Sequence, residues 1–117
     1  MLPAAASAAF DVLAEPNRRR ILDLLRDGER PVSSLVHHLA VSQPAVSKHL
    51  RVLRDAGLVT MRVDAQRRLY RLQLQPLRDI DAWLAPYRAL WSASLDRLEH
   101  HLDSIDPPHP NTRGEHP

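Results

Sequence analysis

The spacing of apolar residues changes period twice along this chain. An alanine-rich opening predicts a helix from Ala4 to about Leu13, with Phe10 and Leu13 facing inward. A second helix starts at Pro16, a residue suited to a first turn. Ile21, Leu22, Leu24 and Leu25 give it an apolar face, and Gly28 supplies the stop. A third carries Leu35, Val36 and Leu39, with Ser33 as its cap. Only Ala40 and Val41 then precede Ser42, which opens a helix running to about Ala56, where Gly57 ends it. Two helices joined by so tight a turn form a helix-turn-helix unit.

From Val59 the period falls to two. Val59, Met61 and Val63 alternate with Thr60 and Arg62, and Tyr70, Leu72 and Leu74 alternate with Arg71 and Gln73. This is a β-hairpin. Its turn lacks glycine, so a longer loop over 64–67 is predicted. After Pro76 a helical stripe resumes at Leu77, Ile80, Leu84, Tyr87, Trp91, Leu95, Leu98, Leu102 and Ile105. Its steps of three and four approach a heptad seam. Trp83 and Leu90 lie off this seam and are expected against the body of the domain. Pro86 interrupts the stripe, and an interior proline costs roughly 3 kcal/mol and removes a donor, so a kink or break is predicted near Ala85. The fold class that follows is α+β, mostly α, with a two-stranded hairpin and a long last helix. Residues 1–105 read as one domain, and the proline-rich 106–117 as a disordered tail.

Composition narrows the function. The chain has no cysteine, which excludes disulfides and thiolate metal sites and fits a reducing cytoplasm. The alanine-rich start lacks the basic and strongly apolar parts of a signal peptide, and no run is long enough to span a membrane. Formal net charge is only +2, but it is unevenly placed. Between Ser42 and Arg71 stand Lys48, Arg51, Arg54, Arg62, Arg67, Arg68 and Arg71 against Asp55 and Asp64. A basic segment in a near-neutral chain points to a local polyanion-binding face.

The helix after Ser42 shows how such a face is built. At roughly 100° per residue, Val46, Leu50 and Leu53 fall on one side as a buried stripe. Lys48 and Arg51 fall opposite, Gln43, Ser47 and Arg54 on one flank, and His49 on the other. A helix N-terminus of this kind suits the DNA major groove. Ser42 can cap the helix or bond a phosphate, and Pro44 sets the first turn. Gln43 can pair with an adenine edge and Arg51 with guanine, while Ser47 and Lys48 reach bases or phosphates. His49 either joins this face or packs between helices. Arg67 and Arg68, after the hairpin turn, can enter a minor groove or clamp phosphates.

"LAEPNRRRILDLL", "VSSLVHHLAVSQPAVSKHLRVLRDAGLV" and "TMRVDAQRRLYRL" together resemble the ArsR family of winged-helix bacterial repressors, over about residues 8–75. The most specific part is Ser-x-His-Leu-x-x-Leu-x-x-x-Gly-Leu-Val, from Ser47 to Val59. The resemblance implies a cytoplasmic, symmetric dimer that represses transcription from a partly palindromic double-stranded DNA operator. Its reading helix would use Ser42, Gln43, Pro44, Ser47, Lys48, His49 and Arg51, and its wing Arg67 and Arg68. The first and last helices would form the interface, through Phe10, Leu13, Leu84, Tyr87, Trp91, Leu95, Leu98 and Leu102. Where the family often has glycine at the wing tip, this chain has Ala65-Gln66.

Metal ligands of the family's sensors are not matched. The third helix reads "SSLVHHL", and the last carries Asp79, Asp81 and adjacent His100 and His101, neighbours that point about 100° apart on a helix. No metal and no cofactor are therefore expected, and the inducer stays open. A metal- or ligand-gated sensor of the same fold and a winged-helix protein-interaction module are the alternatives. No nucleophile–base set or phosphate loop suggests an enzyme.

Overall fold

The computed structural model describes residues 2–105. Its elements run α1 (Ala4–Leu13), α2 (Pro16–Leu25), β1 (Arg30–Pro31), α3 (Val32–Leu39), α4 (Gln43–Asp55), β2 (Val59–Asp64), β3 (Arg67–Leu72) and α5 (Gln75–Ile105). They fall into two compact units, one ending at Trp83 and one beginning at Leu84. The expected tail at 106–117 lies outside the described residues.

The first unit has an apolar core to which every helix segment contributes. Ile21, Leu35, Val46, Leu50, Leu53 and Leu58 are completely buried. The stripe read from the sequence is thus the face that seats α4. Ser42 caps this helix: the Ala45 N–H donates to Ser42 Oγ at 3.3 Å, and Pro44 occupies the first turn. At the far end Gly57 adopts a left-handed φ of 75°, which glycine takes without a Cβ clash. The Leu58 N–H then donates back to the Leu53 carbonyl at 2.9 Å. The chain leaves α4 directly into β2, and the Gln73 N–H returns to the Leu58 carbonyl at 2.9 Å, so α4 and the hairpin share one base.

Several expectations are corrected. The sheet has three antiparallel strands, in the order β1-β3-β2, rather than two. Arg30 pairs with Tyr70 and Pro31 with Leu69. That pairing brings the start of α3 forward to Val32 after Pro31, with no side-chain cap, so Ser33 is not the cap. The hairpin turn is tight. Asp64 pairs with Arg67, leaving only Ala65 and Gln66 to connect the strands. Ala65 accepts a left-handed φ of 58° in place of the glycine that the sequence lacks.

In α1 it is Ala6, Ala9 and Val12 that are buried, because small side chains let the helix approach closely. Phe10 remains 39% exposed and sets its ring edge-on against Trp83, with centroids 5.7 Å apart at 79°. Leu13 is half-buried. Trp83 is half-buried in the first unit, and Leu90, in the second, is exposed. α5 runs unbroken through Pro86. Proline's fixed φ is itself helical, so the loss is one donor and some crowding in the preceding turn.

Candidate nucleic-acid interface

A groove of about 730 Å³ opens on the first unit between α4, the hairpin and the start of α3. Gln43, Ser47 and Arg51 line it from the helix, and Arg67 and Arg68 from the hairpin. Five of the residues expected to meet DNA are therefore brought to one concavity from separate elements. The helix contributes one row, Gln43, Ser47, Arg51 and Arg54, at spacings of four, four and three. Arg54 was placed only on a flank in the sequence reading; continuing that row by three residues is the signal that finds it. Gln66 at the hairpin tip also lines the groove, and no sequence signal pointed to it.

The remaining expected residues are divided. Ser42, Pro44 and Lys48 are exposed at the N-terminal end of α4, outside the groove lining. His49 is elsewhere: its side chain is 16% exposed and turned toward α2. Arg18 Nε donates to His49 Nδ1 at 3.3 Å, so the ring packs between helices and away from the groove lining.

Ion pairing sorts the basic residues of the segment. Arg62 is held by Glu29 through two hydrogen bonds of 2.8 Å each, tying the hairpin to the turn after α2. Those hydrogen bonds hold the Glu29 carboxyl below its usual range, against the opposing effect of burial, and they raise Arg62 further above its own. Arg71 donates to Thr60 Oγ1 across the strands at 3.1 Å. These two cations serve the hairpin. Lys48, Arg51, Arg54 and Arg68 have no side-chain hydrogen bond or ion pair among the described residues. Arg67 reaches only Asp64, at 3.8 Å on the surface, a pair too exposed and loose to hold it.

The groove thus presents four arginines, the amides of Gln43 and Gln66 and the hydroxyls of Ser33 and Ser47, with Asp55 the one carboxylate in its lining. Arginine forks fit phosphate oxygens and guanine edges, and glutamine fits an adenine edge. The N–H groups of the first turn add a fixed positive potential beside Ser42. Among the described residues no group of three or more His, Asp or Glu side chains is arranged to hold a metal ion. No helix there is long and apolar enough to cross a membrane.

A tight helix pair whose second helix faces outward beside a basic hairpin is a winged helix-turn-helix domain, a DNA-binding architecture. Comparison with known proteins gives the family. Residues 15–61 match the model for bacterial regulatory proteins of the arsR family. The chain is 32% identical over 75 residues to the transcriptional repressor SdpR of Bacillus subtilis, covering 64% of this chain and 83% of that one. It is 38% identical over 100 residues to an HTH-type transcriptional regulator of Mycobacterium tuberculosis, covering 82% of this chain and 87% of the relative. Among solved structures, an ArsR-like transcriptional regulator from Rhodococcus superimposes with a TM-score of 0.65 at 29% identity, over 88% of this chain and 93% of that one. The chain belongs to the arsR family and is a DNA-binding transcriptional regulator.

Proposed function

We propose that this regulator is a repressor that binds a partly palindromic operator as a homodimer in the cytoplasm, and that residues 1–105 carry both tasks. The observation that carries the reading is the groove where Gln43, Ser47, Arg51 and Arg54 meet Arg67 and Arg68. Base edges fall to Gln43, Ser47 and Arg51, and phosphates to Ser42, Lys48, Arg54, Arg67 and Arg68. Pro44 sets the first turn that aims them. Occupying promoter DNA then blocks transcription.

Dimerisation is supported by the second unit. Tyr87, Trp91, Leu95, Leu98 and Leu102 form a helical stripe whose members are 47–64% exposed. So continuous an apolar row is an interaction surface rather than scattered surface residues. Leu84, Phe10 and Leu13 complete the proposed interface. A two-fold axis relating two reading helices matches half-sites about one helical turn apart.

Selecting bound fragments from the host genome tests this. Enrichment of a sequence with two inverted half-sites whose centres are about 10 base pairs apart is expected. Binding should also weaken steeply with salt, as phosphate contacts demand. No enrichment over input DNA, or binding indifferent to salt, contradicts it and favours a protein-interaction module.

A further inference from the structure

Within the stretch from Ser42 to Arg51, His49 is the polar side chain that turns inward to a partner on another helix. Arg18 Nε–H donates to its Nδ1 at 3.3 Å. A ring nitrogen that accepts carries no proton, so the neutral ring holds its proton on Nε2. His49 Nε2 lies 3.8 Å from Glu15 Oε2. The same Glu15 oxygen caps α2 by accepting the Arg18 backbone N–H at 3.1 Å. Arg18 Nη1 also reaches back to the Val12 carbonyl, at 3.4 Å. One network therefore fastens the middle of α4 to the first turn of α2 and the last turn of α1.

Position gives this network its consequence. Ser47 and Arg51 are four residues apart and share a face. His49 stands between them, and at roughly 100° per residue it is displaced roughly 160° from each. Val46, Leu50 and Leu53 hold α4 by apolar contact, which is strong but non-directional. A hydrogen bond, in contrast, weakens steeply when its angle changes. The ring is thus a directional tether on the back of the helix, set against rotation of the face that carries Gln43, Ser47 and Arg51.

We propose that His49 is a positioning residue for base recognition: accepting from Arg18, it fixes the rotation of α4 and so the reach of its reading face, without touching DNA. This rests on the DNA-binding reading above. It gives the shared network of Glu15, Arg18 and His49 a role in sequence discrimination rather than in general affinity.

The test compares binding to a genome-selected fragment with binding to a scrambled fragment of equal length, at one salt concentration, together with thermal melting. If the unaltered protein shows no preference between the two, the DNA reading fails, and the tether fails with it before any variant is made. Given that preference, His49→Leu should weaken the selected fragment about tenfold, the worth of one hydrogen bond. The scrambled fragment, held by phosphate contacts, should change less than about twofold. His49→Asn, whose Oδ1 can accept from Arg18, should recover most of the loss. Arg18→Met removes the donor without altering α4, and should reproduce the loss even where His49→Leu does not fold. Equal weakening of both fragments, an asparagine variant no better than leucine, or full discrimination in Arg18→Met would overturn the proposal and leave His49 as a packing residue.

Discussion

Helices α4 and α5 are both amphipathic, and they spend their apolar faces differently. In α4, Val46, Leu50 and Leu53 are completely buried in the first unit, and the polar row is left outside. In the second unit the apolar stripe from Tyr87 to Ile105 is exposed along with its polar neighbours. The first pattern is satisfied within its own unit; the second has no cover there. A stripe of apolar residues therefore does not by itself say what it packs against. The basic row runs along the flank of the Val46, Leu50 and Leu53 stripe, which suits α4 to present that side to a polyanion. The length of the stripe and its aromatic content are what support the proposal that the last helix presents its apolar face to protein.

That contrast can be broken at matched leucines. Leu50→Ala should cost about 2–5 kcal/mol of unfolding free energy, because it opens a cavity in a filled core. Chemical denaturation measures it, and a loss below about 1 kcal/mol would show that the core does not depend on this helix. Leu95→Glu should leave the circular-dichroism helix signal intact while weakening self-association by about a hundredfold or more, since each copy then buries a charge without a partner. Light scattering at micromolar concentration should find monomers. Persistence of a dimer would remove this helix from the interface.

Smaller effects sharpen the picture at the hairpin. Ala65→Gly relieves a left-handed alanine and should raise stability by about 0.5–1 kcal/mol, read from the melting temperature. A lower melting temperature would mean that the turn is not strained. The smallest effect is the acid response of the Glu29–Arg62 pair. Glu29 is held below its usual carboxylate range, chiefly by hydrogen bonds from Arg62. Its contribution is therefore present above the ordinary value of 4.5 and is lost as pH falls through the lowered one. Melting curves of the unaltered protein and Glu29→Gln should differ at neutral pH and converge in acid below that ordinary value. A constant gap across the range would rule out this linkage.

Much of this architecture was legible in the sequence because it rests on local signals. The period of 46, 50 and 53, the serine before Gln43 and the glycine at 57 place α4 unaided. Features that depended on distant partners were not legible. His49 looked like either a DNA ligand or a packing residue because its partner, Arg18, is 31 residues away. β1 has two residues, one of them proline, too few to show alternation, and only its pairing with β3 reveals it. The hairpin seemed to need a longer loop because glycine was missing, yet Ala65 adopts the same backbone geometry. Phe10 followed the rule that large apolar residues point inward, but alanines took the close contacts of α1. At the groove, helical spacing alone extends the row from Gln43 to Arg54. Gln66 joins it only because the turn is tight.

Arg51 is where the claim that this groove reads DNA is most exposed. It lies in the helical row, lines the groove and has no partner within the described residues. The decisive measurement is the affinity of Arg51→Ala for a genome-selected fragment at physiological salt, beside the unaltered protein. Loss of a base-edge contact should weaken binding by about 1–3 kcal/mol and relax preference at one position in each half-site, with the dimer unchanged. Unchanged affinity and unchanged preference would contradict the assignment of α4 as the reading helix.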